Sequence, residues 1–260
     1  MIKPKISVVT SSYWRPDFLR RCIQSVQKQS FEDYEHIIVS DHDPFTKAVC
    51  DEFKDDSRIR FVEITEPYIY NLGAISFNTG IEMANSDYIC YALDDDLLYE
   101  NHLLEHYNYL KRNELASVMS NEEELQFSPP DDNAANILSH SFDMLRNHDN
   151  KISGYADVLV LSHTKQIGLD KKWMTQQELG GQWEDNVFMR GLGSIGTIDC
   201  PTALKLQWGG ISKRDTKGVD SDYYNLLMDK LVEDPTEPSG YKLVADSPYA
   251  YPQFKDTLYG

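Results

Sequence analysis

The most constraining feature of the sequence is an apolar run, residues 88–93, that leads directly into Asp94, Asp95 and Asp96. A nearly continuous apolar run of this length is typical of a central strand that is covered on both faces. Carboxylates in such proximity repel one another unless a cation lies between them. The run therefore predicts a buried parallel strand whose carboxyl end carries a charged site.

The segments before this run alternate between strands and helices. We predict strands at residues 5–10, 37–39 and 59–64, and helices that begin at Pro16, at about Phe45 and at about Leu72. Strands that alternate with helices along a chain are typical of a parallel sheet covered by helices. The predicted fold class is therefore α/β, a Rossmann-like α/β/α sandwich with a mostly parallel central sheet.

The second half of the chain is less regular. Helical periodicity is found at residues 136–145 and 219–231, a strand pattern at residues 156–161, and a glycine-interrupted turn at residues 191–196. The residues from 128 to 133 have the composition of a loop, and the tail after residue 234 is expected to be extended. We expect a single domain over residues 1–260, made of a first half, residues 1–113, and a second half, residues 114–260, with a C-terminal extension.

The acidic composition argues against several classes of partner. Lys and Arg number 25 against 42 Asp and Glu, a formal net charge of -17, which opposes the phosphate neutralisation that nucleic-acid binding requires. No apolar run approaches the roughly 18 residues of a spanning helix, and no signal-peptide pattern opens the sequence. We expect a cytoplasmic protein with four reduced cysteines, no nucleic-acid partner and no transmembrane segment; its oligomeric state is left open.

The three aspartates indicate a divalent cation. Ligands bind outside the carboxyl ends of parallel strands, where the loops diverge. Alternate residues of an extended chain point the same way, so Asp94 and Asp96 are expected to face one ligand while Asp95 turns toward the protein. Oxygen ligands favour Mg²⁺ or Mn²⁺, whose coordination is usually completed by water and substrate phosphates. The alternative is that the three carboxylates cap a helix that begins near Leu97.

The residues around this pattern resemble glycosyltransferase family 2. Residues 6–16, which read Ile-Ser-Val-Val-Thr-Ser-Ser-Tyr-Trp-Arg-Pro, are similar to the family's opening, and residues 34–41, 78–81 and 87–96 follow in the family's order and separation. The resemblance covers about residues 5–105. It implies a GT-A fold in which the first half binds a nucleotide-sugar donor, usually linked to uridine, and the second half binds a glycan-type acceptor. The implied activity is that of a metal-dependent, inverting hexosyltransferase.

The resemblance also implies roles for individual residues. The implied donor-binding residues are Thr10, Ser11, Asp41, Asn78, Asp94 and Asp95, with Arg15 as a weaker candidate. Asp96, together with Asp94, matches the metal position. The pair Glu184 and Asp185 resembles the family's base motif at the start of a helix, with Asp185 as the base that takes the acceptor's proton. Trp183 is expected to contact the acceptor; the alternative is a core tryptophan beside two ordinary helix N-terminal acids.

Two departures from the family pattern bear on the donor phosphates. Phe77 precedes Asn78 where the family often has an arginine, and residues 206–212 lack a histidine that often adds a metal contact. We expect the cationic loop of Lys213 and Arg214 to close over the phosphates, the alternative being an ordinary solvated loop. His163 is a weaker candidate for the missing metal ligand, because a lone histidine is more often structural.

Two other functions are weighed against a transferase. A nucleotidyltransferase-like enzyme also sets paired acids and a divalent ion against a nucleotide, but it usually needs a glycine-rich phosphate loop. Residues 11–16 contain no glycine. An inactive relative that binds a sugar or nucleotide without turnover is made conceivable by Phe77 and the missing histidine. The three functions differ in the product released. A transferase releases nucleoside diphosphate, a nucleotidyltransferase releases pyrophosphate from a triphosphate, and a binding protein releases neither.

Overall fold

A nine-stranded sheet organises the part of the chain that the structure describes. The structure is a computed structural model and describes residues 3–13, 15–41, 43–64, 73–127, 136–140, 157–175, 177–180, 184–208, 231–233 and 241–243. The strands are β1 (Ile6–Ser12), β2 (Tyr34–Ser40), β3 (Ile59–Glu63), β4 (Tyr88–Tyr91), β5 (Leu97–Leu98), β6 (Ser117–Phe127), β7 (Asn136–His140), β8 (Leu161–Thr164) and β9 (Gly196–Trp208). The helices are α1 (Pro16–Gln27), α2 (Thr46–Glu52), α3 (Ala74–Met83), α4 (His102–Asn113), α5 (Lys165–Lys171) and α6 (Glu184–Gly191). A separate hairpin pairs β10 (Leu231–Glu233) with β11 (Tyr241–Leu243).

The order of the strands creates a crevice at one edge of the sheet. The order is β3-β2-β1-β4-β8-β6-β9-β5, with β7 beside β6. β1 pairs in parallel with both β2 and β4, so the chain builds outward from β1 to β3 and then returns to the other side of β1. The loops after β1 and β4 leave the sheet at this reversal, which is where open α/β sheets bind ligands.

The first half of the sheet is a buried core, as its sequence predicts. All residues of β2 are buried, and in β1 only Ser11 is partly exposed. α1 covers one face with Leu19, Ile23 and Val26, each 0% exposed. Full burial of one such side chain contributes about 1.5–3 kcal/mol to folding. The strands and helices predicted before residue 93 are confirmed, with small differences at their ends.

The second half of the sheet is mixed. β8 runs antiparallel to β4 and β6, and β5 runs antiparallel to β9, whereas β6 and β9 are parallel. The predicted α/β class is confirmed, and its parallel character is strongest in the first half.

Two predictions for the second half differ from the structure. The helix predicted at residues 136–145 is wrong, because residues 136–140 form β7 on the edge of β6. The strand predicted at residues 156–161 begins later, because Val158–Val160 forms a 3₁₀ turn before β8. Short apolar runs do not distinguish a helix from a strand by periodicity alone. Residues 128–133, residues 219–230 and most of the tail lie outside the described residues.

Close packing of α3 on β1 depends on Gly80. A Cβ atom at this position would lie 2.3 Å from Val9 Cγ1, too close for any side chain without movement of the strand or the helix. We expect Gly80→Ala to lower the free energy of unfolding by about 1–3 kcal/mol, although alanine favours helix by about 1 kcal/mol. Urea unfolding of the two proteins measures the difference.

Gly191→Ala is the matched control for this substitution. Its nearest neighbour would be Lys171 Cδ at 3.8 Å, which is ordinary van der Waals contact. We expect no loss of stability from Gly191→Ala. An equal effect of the two substitutions would contradict the close approach of α3 to β1.

Candidate active site

The three aspartates lie in a turn between β4 and β5. The Asp96 N–H donates to the carbonyl of Leu93 at 3.1 Å, and Asp94, Asp95 and Asp96 are only 7%, 4% and 4% exposed. The helix-cap alternative is excluded, because the next residues form β5 and the next helix begins only at His102. The turn therefore holds three buried carboxylates at the reversal of strand order.

Arg15 joins the loop after β1 to this turn. Its Nη1 lies 3.0 Å from Asp94 Oδ1 and 2.6 Å from Asp95 Oδ2. The backbone N–H of Tyr13 also donates to Asp94 Oδ2, at 3.3 Å. Asp94 and Asp95 thus share a cation. Residues 94–96 form a turn rather than an extended chain, so strand alternation does not describe them, and the facing of Asp94 and Asp96 toward one ligand stays a prediction.

Lys205 of β9 lies on the other flank of the turn. β5 and β9 are antiparallel, with Leu97 opposite Leu204. Continuing this register by one residue places Asp96 opposite Lys205. The sequence analysis did not single out Lys205. A lone charge within the apolar segment of residues 203–206 was the signal that could have identified it.

The charges of three carboxylates act on the Lys205 ammonium group. It forms an ion pair with Asp157, and the two side chains are 14% and 9% exposed. Burial by itself would lower the pKa of Lys205, but the negative charges of Asp157, Glu122 and Asp96 outweigh that effect and raise it. Lys205 therefore stays protonated at neutral pH. Neither Asp157 nor Glu122 was among the predicted site residues.

Asp185 lies in the first turn of α6, next to the buried Glu184. Its Oδ1 accepts the N–H of Asn186 at 2.7 Å. Burial raises the pKa of Asp185, the charge of Asp157 raises it further, and Lys205 lowers it. Lys205 thus interacts electrostatically with both Asp185 and Asp96. The charge of Lys205 therefore acts on the base candidate in the second half of the chain and on the aspartate turn in the first half.

Two predicted donor-binding residues are engaged within the protein. Thr10 is 0% exposed, and its hydroxyl lies 2.8 Å from His36 Nε2, so it is not presented at the surface of the crevice. The Asn78 amide both donates to the Trp173 carbonyl, at 2.8 Å, and accepts the Trp173 N–H, at 2.9 Å. Asn78 therefore links α3 to the segment that follows α5.

Ser11 and Asp41 lie at the crevice, where β1 and β2 end. Both are partly exposed, and the Asp41 N–H donates to the carbonyl of Ser12 at 3.0 Å. They remain candidates for contact with a base. Trp183, Lys213 and Arg214 lie outside the described residues, so their predicted roles remain predictions.

Phe77, at the position where the family often has an arginine, faces the core. It is 5% exposed, and its ring centroid lies 5.1 Å from that of Tyr91 and 4.9 Å from that of Trp173. The side chain at this position belongs to an aromatic cluster. Any cation that faces a donor phosphate in this protein must therefore come from another residue.

His163 has partners for both ring nitrogens. Its Nε2 lies 2.7 Å from the Tyr91 hydroxyl, and its Nδ1 lies 2.8 Å from the Thr164 carbonyl. Burial lowers the pKa of His163 to about 4, so the ring is neutral. These contacts support a structural role for His163 rather than metal binding.

A separate polar cluster lies in the core beneath α4. Metal-ligand atoms of Cys90, His102 and His106 lie within 4.8 Å of one another. Ser162 Oγ lies 2.8 Å from Cys90 Sγ and 2.7 Å from His106 Nδ1, and the two histidine rings stack at 4.1 Å. Because Cys90 and His106 contact Ser162 and His102 contacts Thr202, we interpret the cluster as a hydrogen-bonded core. All four cysteines are free thiols, as predicted.

Comparison with known proteins identifies relatives of this chain. The model of the family described as glycosyl transferase family 2 matches residues 7–167. A poly(ribitol-phosphate) beta-N-acetylglucosaminyltransferase of Staphylococcus aureus, TarP, is 34% identical over 116 residues, which are 42% of this chain and 34% of TarP. The crystal structure of S. aureus TarS 1-349 in complex with UDP-GlcNAc superposes with a TM-score of 0.62 at 12% identity, covering 85% of this chain and 64% of that one. A mannosyltransferase of Pyrobaculum calidifontis, in complex with GDP-Man and Mn²⁺, gives a TM-score of 0.50 at 14% identity, covering 82% of this chain and 59% of that one.

These matches show the fold and cover only part of each relative's length. The likeness to TarS, at 12% identity, shows that the two proteins share the GT-A fold. Matches to the curated relatives span between 14% and 39% of those proteins' own lengths. Among the helices that the structure describes, none combines the length and the apolar character that crossing a bilayer requires.

Proposed function

The chain belongs to glycosyltransferase family 2, whose model matches more than half of it, and we propose on this basis that it transfers a sugar from a nucleotide-sugar donor. The donor is UDP-linked, the acceptor is a hydroxyl group of a glycan-type molecule, and the anomeric carbon is inverted. Residues 1–113 bind the donor and residues 114–260 bind the acceptor.

The observation that carries this proposal is the aspartate turn at the reversal of strand order. Asp94 is joined to the loop after β1 through Tyr13 and Arg15, so the turn borders the crevice in which a nucleotide would lie. Ser11 and Asp41 line the same edge of the sheet, at the ends of β1 and β2. A UDP donor is supported by the binding of UDP-GlcNAc to TarS, which has the same fold.

The aspartate turn suits a hard divalent ion such as Mn²⁺ or Mg²⁺. Its carboxylates offer oxygen ligands only, and buried carboxylates so close together are stabilised by positive charge, as the contacts to Arg15 illustrate. Asp96 and Asp94 would hold the ion. When bound, such an ion neutralises the negative charge that develops on the leaving diphosphate.

Asp185 is the base of the proposed reaction. Its carboxylate removes the proton from the acceptor hydroxyl, while the hydroxyl oxygen forms a bond to the anomeric carbon and the bond to the nucleoside diphosphate breaks. Because burial raises the pKa of Asp185, its carboxylate is a stronger base than one in water. Trp183 precedes this pair of acids and is proposed to contact the acceptor, with Lys213 and Arg214 closing over the donor.

A thermal-shift panel of UDP, GDP and their sugars, with and without Mn²⁺, tests the proposal. At a concentration about 100 times its dissociation constant, a ligand of the folded state adds about 2.7 kcal/mol. For a chain of this size that corresponds to a rise of about 5–10 °C in the melting temperature. We expect UDP and a UDP-sugar to give this rise only when Mn²⁺ is present.

Product analysis with the same ligands identifies the reaction class. A transferase slowly releases UDP from a UDP-sugar, whereas a nucleotidyltransferase releases pyrophosphate from a triphosphate. A larger shift with GDP than with UDP would contradict the uridine assignment alone. The absence of a shift with every nucleoside diphosphate would contradict the proposed function itself.

A further inference from the structure

Two cations flank the aspartate turn in the described part of the chain. Arg15 binds Asp94 and Asp95 on one side. Lys205 lies on the other side, opposite Asp96 in the register of β5 and β9. Arg15 is directed at the carboxylates by short contacts, and the charge of Lys205 acts on both Asp96 and Asp185. A diphosphate held by an ion at Asp96 would lie close to Lys205, because Lys205 is opposite Asp96 in the register.

The position where a phosphate-facing arginine was expected cannot supply such a cation. Phe77 packs into the aromatic cluster with Tyr91 and Trp173. The donor nevertheless brings a diphosphate into a site that already holds several buried carboxylates. A fixed cation that contacts the phosphate oxygens, in addition to the proposed divalent ion, makes the binding of this negative charge more favourable.

We propose that Lys205 also binds the diphosphate of the donor. This inference rests on the proposed function and names a further residue of the same site. A lysine ammonium group has three N–H donors, so the ion pair with Asp157 is compatible with a second contact to a phosphate oxygen. The contact is a charge-assisted hydrogen bond, which is about twice as strong as a neutral one.

Asp157 positions Lys205 for this contact. One carboxylate oxygen of Asp157 accepts the N–H of Leu159 at 3.0 Å, and the other forms the ion pair with Lys205. Asp157 is thereby fixed to the 3₁₀ turn, and Lys205 is fixed to β9 in the sheet. A cation held in place before the ligand arrives loses little conformational freedom on binding.

Comparison of UDP with uridine separates phosphate binding from a structural role. Lys205→Met should weaken UDP binding at saturating Mn²⁺ by about 10- to 100-fold, the loss expected for a charge-assisted hydrogen bond. The affinity for uridine, which lacks phosphate, should not change. Lys205→Arg should restore part of the UDP affinity. Calorimetry measures the binding of UDP, and NMR titration measures the weaker binding of uridine.

Two further variants control for folding and charge. Lys165→Met removes the same charge at the opposite end of β4, where Lys165 Nζ donates to the Ala84 carbonyl at 2.7 Å, and it should leave both affinities unchanged. Lys205→Met leaves Asp157 buried without its ion pair, which is destabilising. The double variant with Asp157→Asn removes both charges together and should show the same selective loss of UDP binding.

The possible outcomes distinguish failure of the proposed role of Lys205 from failure of the proposed function. If the wild-type protein binds UDP and both Lys205 variants bind it equally well, Lys205 does not bind phosphate, and the proposed function stands. Equal losses of UDP and uridine affinity would show a structural role for Lys205. If the wild-type protein binds no UDP with Mn²⁺, the proposed function and the role of Lys205 are both wrong.

Discussion

Replacing Asp185 with asparagine is expected to reduce kcat for sugar transfer by about 10²- to 10⁴-fold, the usual contribution of a positioned general base. Asparagine has nearly the same shape but cannot accept the acceptor's proton. Because Asp185 is proposed as the base and not as a ligand of the donor or the metal ion, the dissociation constant for UDP should stay the same. Transfer kinetics and calorimetry on one preparation measure the two effects.

The pH dependence of transfer provides a second measure of the same role. Burial raises the pKa of Asp185 above its usual 3.8. We therefore expect kcat/KM to fall as the pH is lowered, with an apparent pKa above that of an exposed aspartate. The charge of Asp157 raises this pKa and that of Lys205 lowers it. Asp157→Asn should therefore move the acid limb to lower pH, and Lys205→Met should move it to higher pH.

The neighbouring Glu184 and a surface aspartate are the controls for this experiment. Asp87→Asn changes an exposed side chain at the start of β4, 79% exposed and paired with Lys3, and should leave kcat unchanged. Glu184→Gln should reduce transfer much less than Asp185→Asn. If Glu184→Gln reduced transfer much more than Asp185→Asn, Glu184 would be the base. Full activity of Asp185→Asn would contradict the assignment of Asp185 as the base.

Asp96→Asn is expected to abolish Mn²⁺-dependent binding of UDP. Loss of a residue that merely supports a metal ligand usually costs about 10- to 100-fold in affinity, and loss of a carboxylate ligand should cost at least about 100-fold. The melting temperature of the variant should no longer rise with UDP and Mn²⁺. Uridine binding should remain, because Ser11 and Asp41 are unchanged.

Folding and specificity must be checked for this substitution. Asp96 is 4% exposed and its charge acts on Lys205, so urea unfolding should establish that the variant is folded. Asp87→Asn again provides the matched control and should keep the Mn²⁺-dependent shift. If Asp96→Asn kept that shift while Asp185→Asn lost it, the two assigned roles would have to be exchanged.

The sequence by itself determined the first half of the fold and the location of the aspartate turn. β1, β2 and β4 are buried, and each contains a short apolar run that is visible in the linear sequence. α1 carries a local signal in Pro16 and in its apolar face. Such signals come from residues that are close together along the chain, so they can be recognised in the sequence without knowledge of the tertiary contacts.

Only the tertiary structure decided which charges meet at the site. Lys205 and Asp157 are separated by 48 positions, and both lie more than 50 positions from Asp96 in the sequence. Their meeting depends on the antiparallel pairing of β5 with β9, which no local pattern specifies. For the same reason residues 136–140 were mistaken for a helix: the neighbouring strand β6, rather than their own periodicity, makes them a strand. Long-range strand pairing therefore determines which charged residues lie together at the site. The local apolar patterns determine the strands and helices that support it.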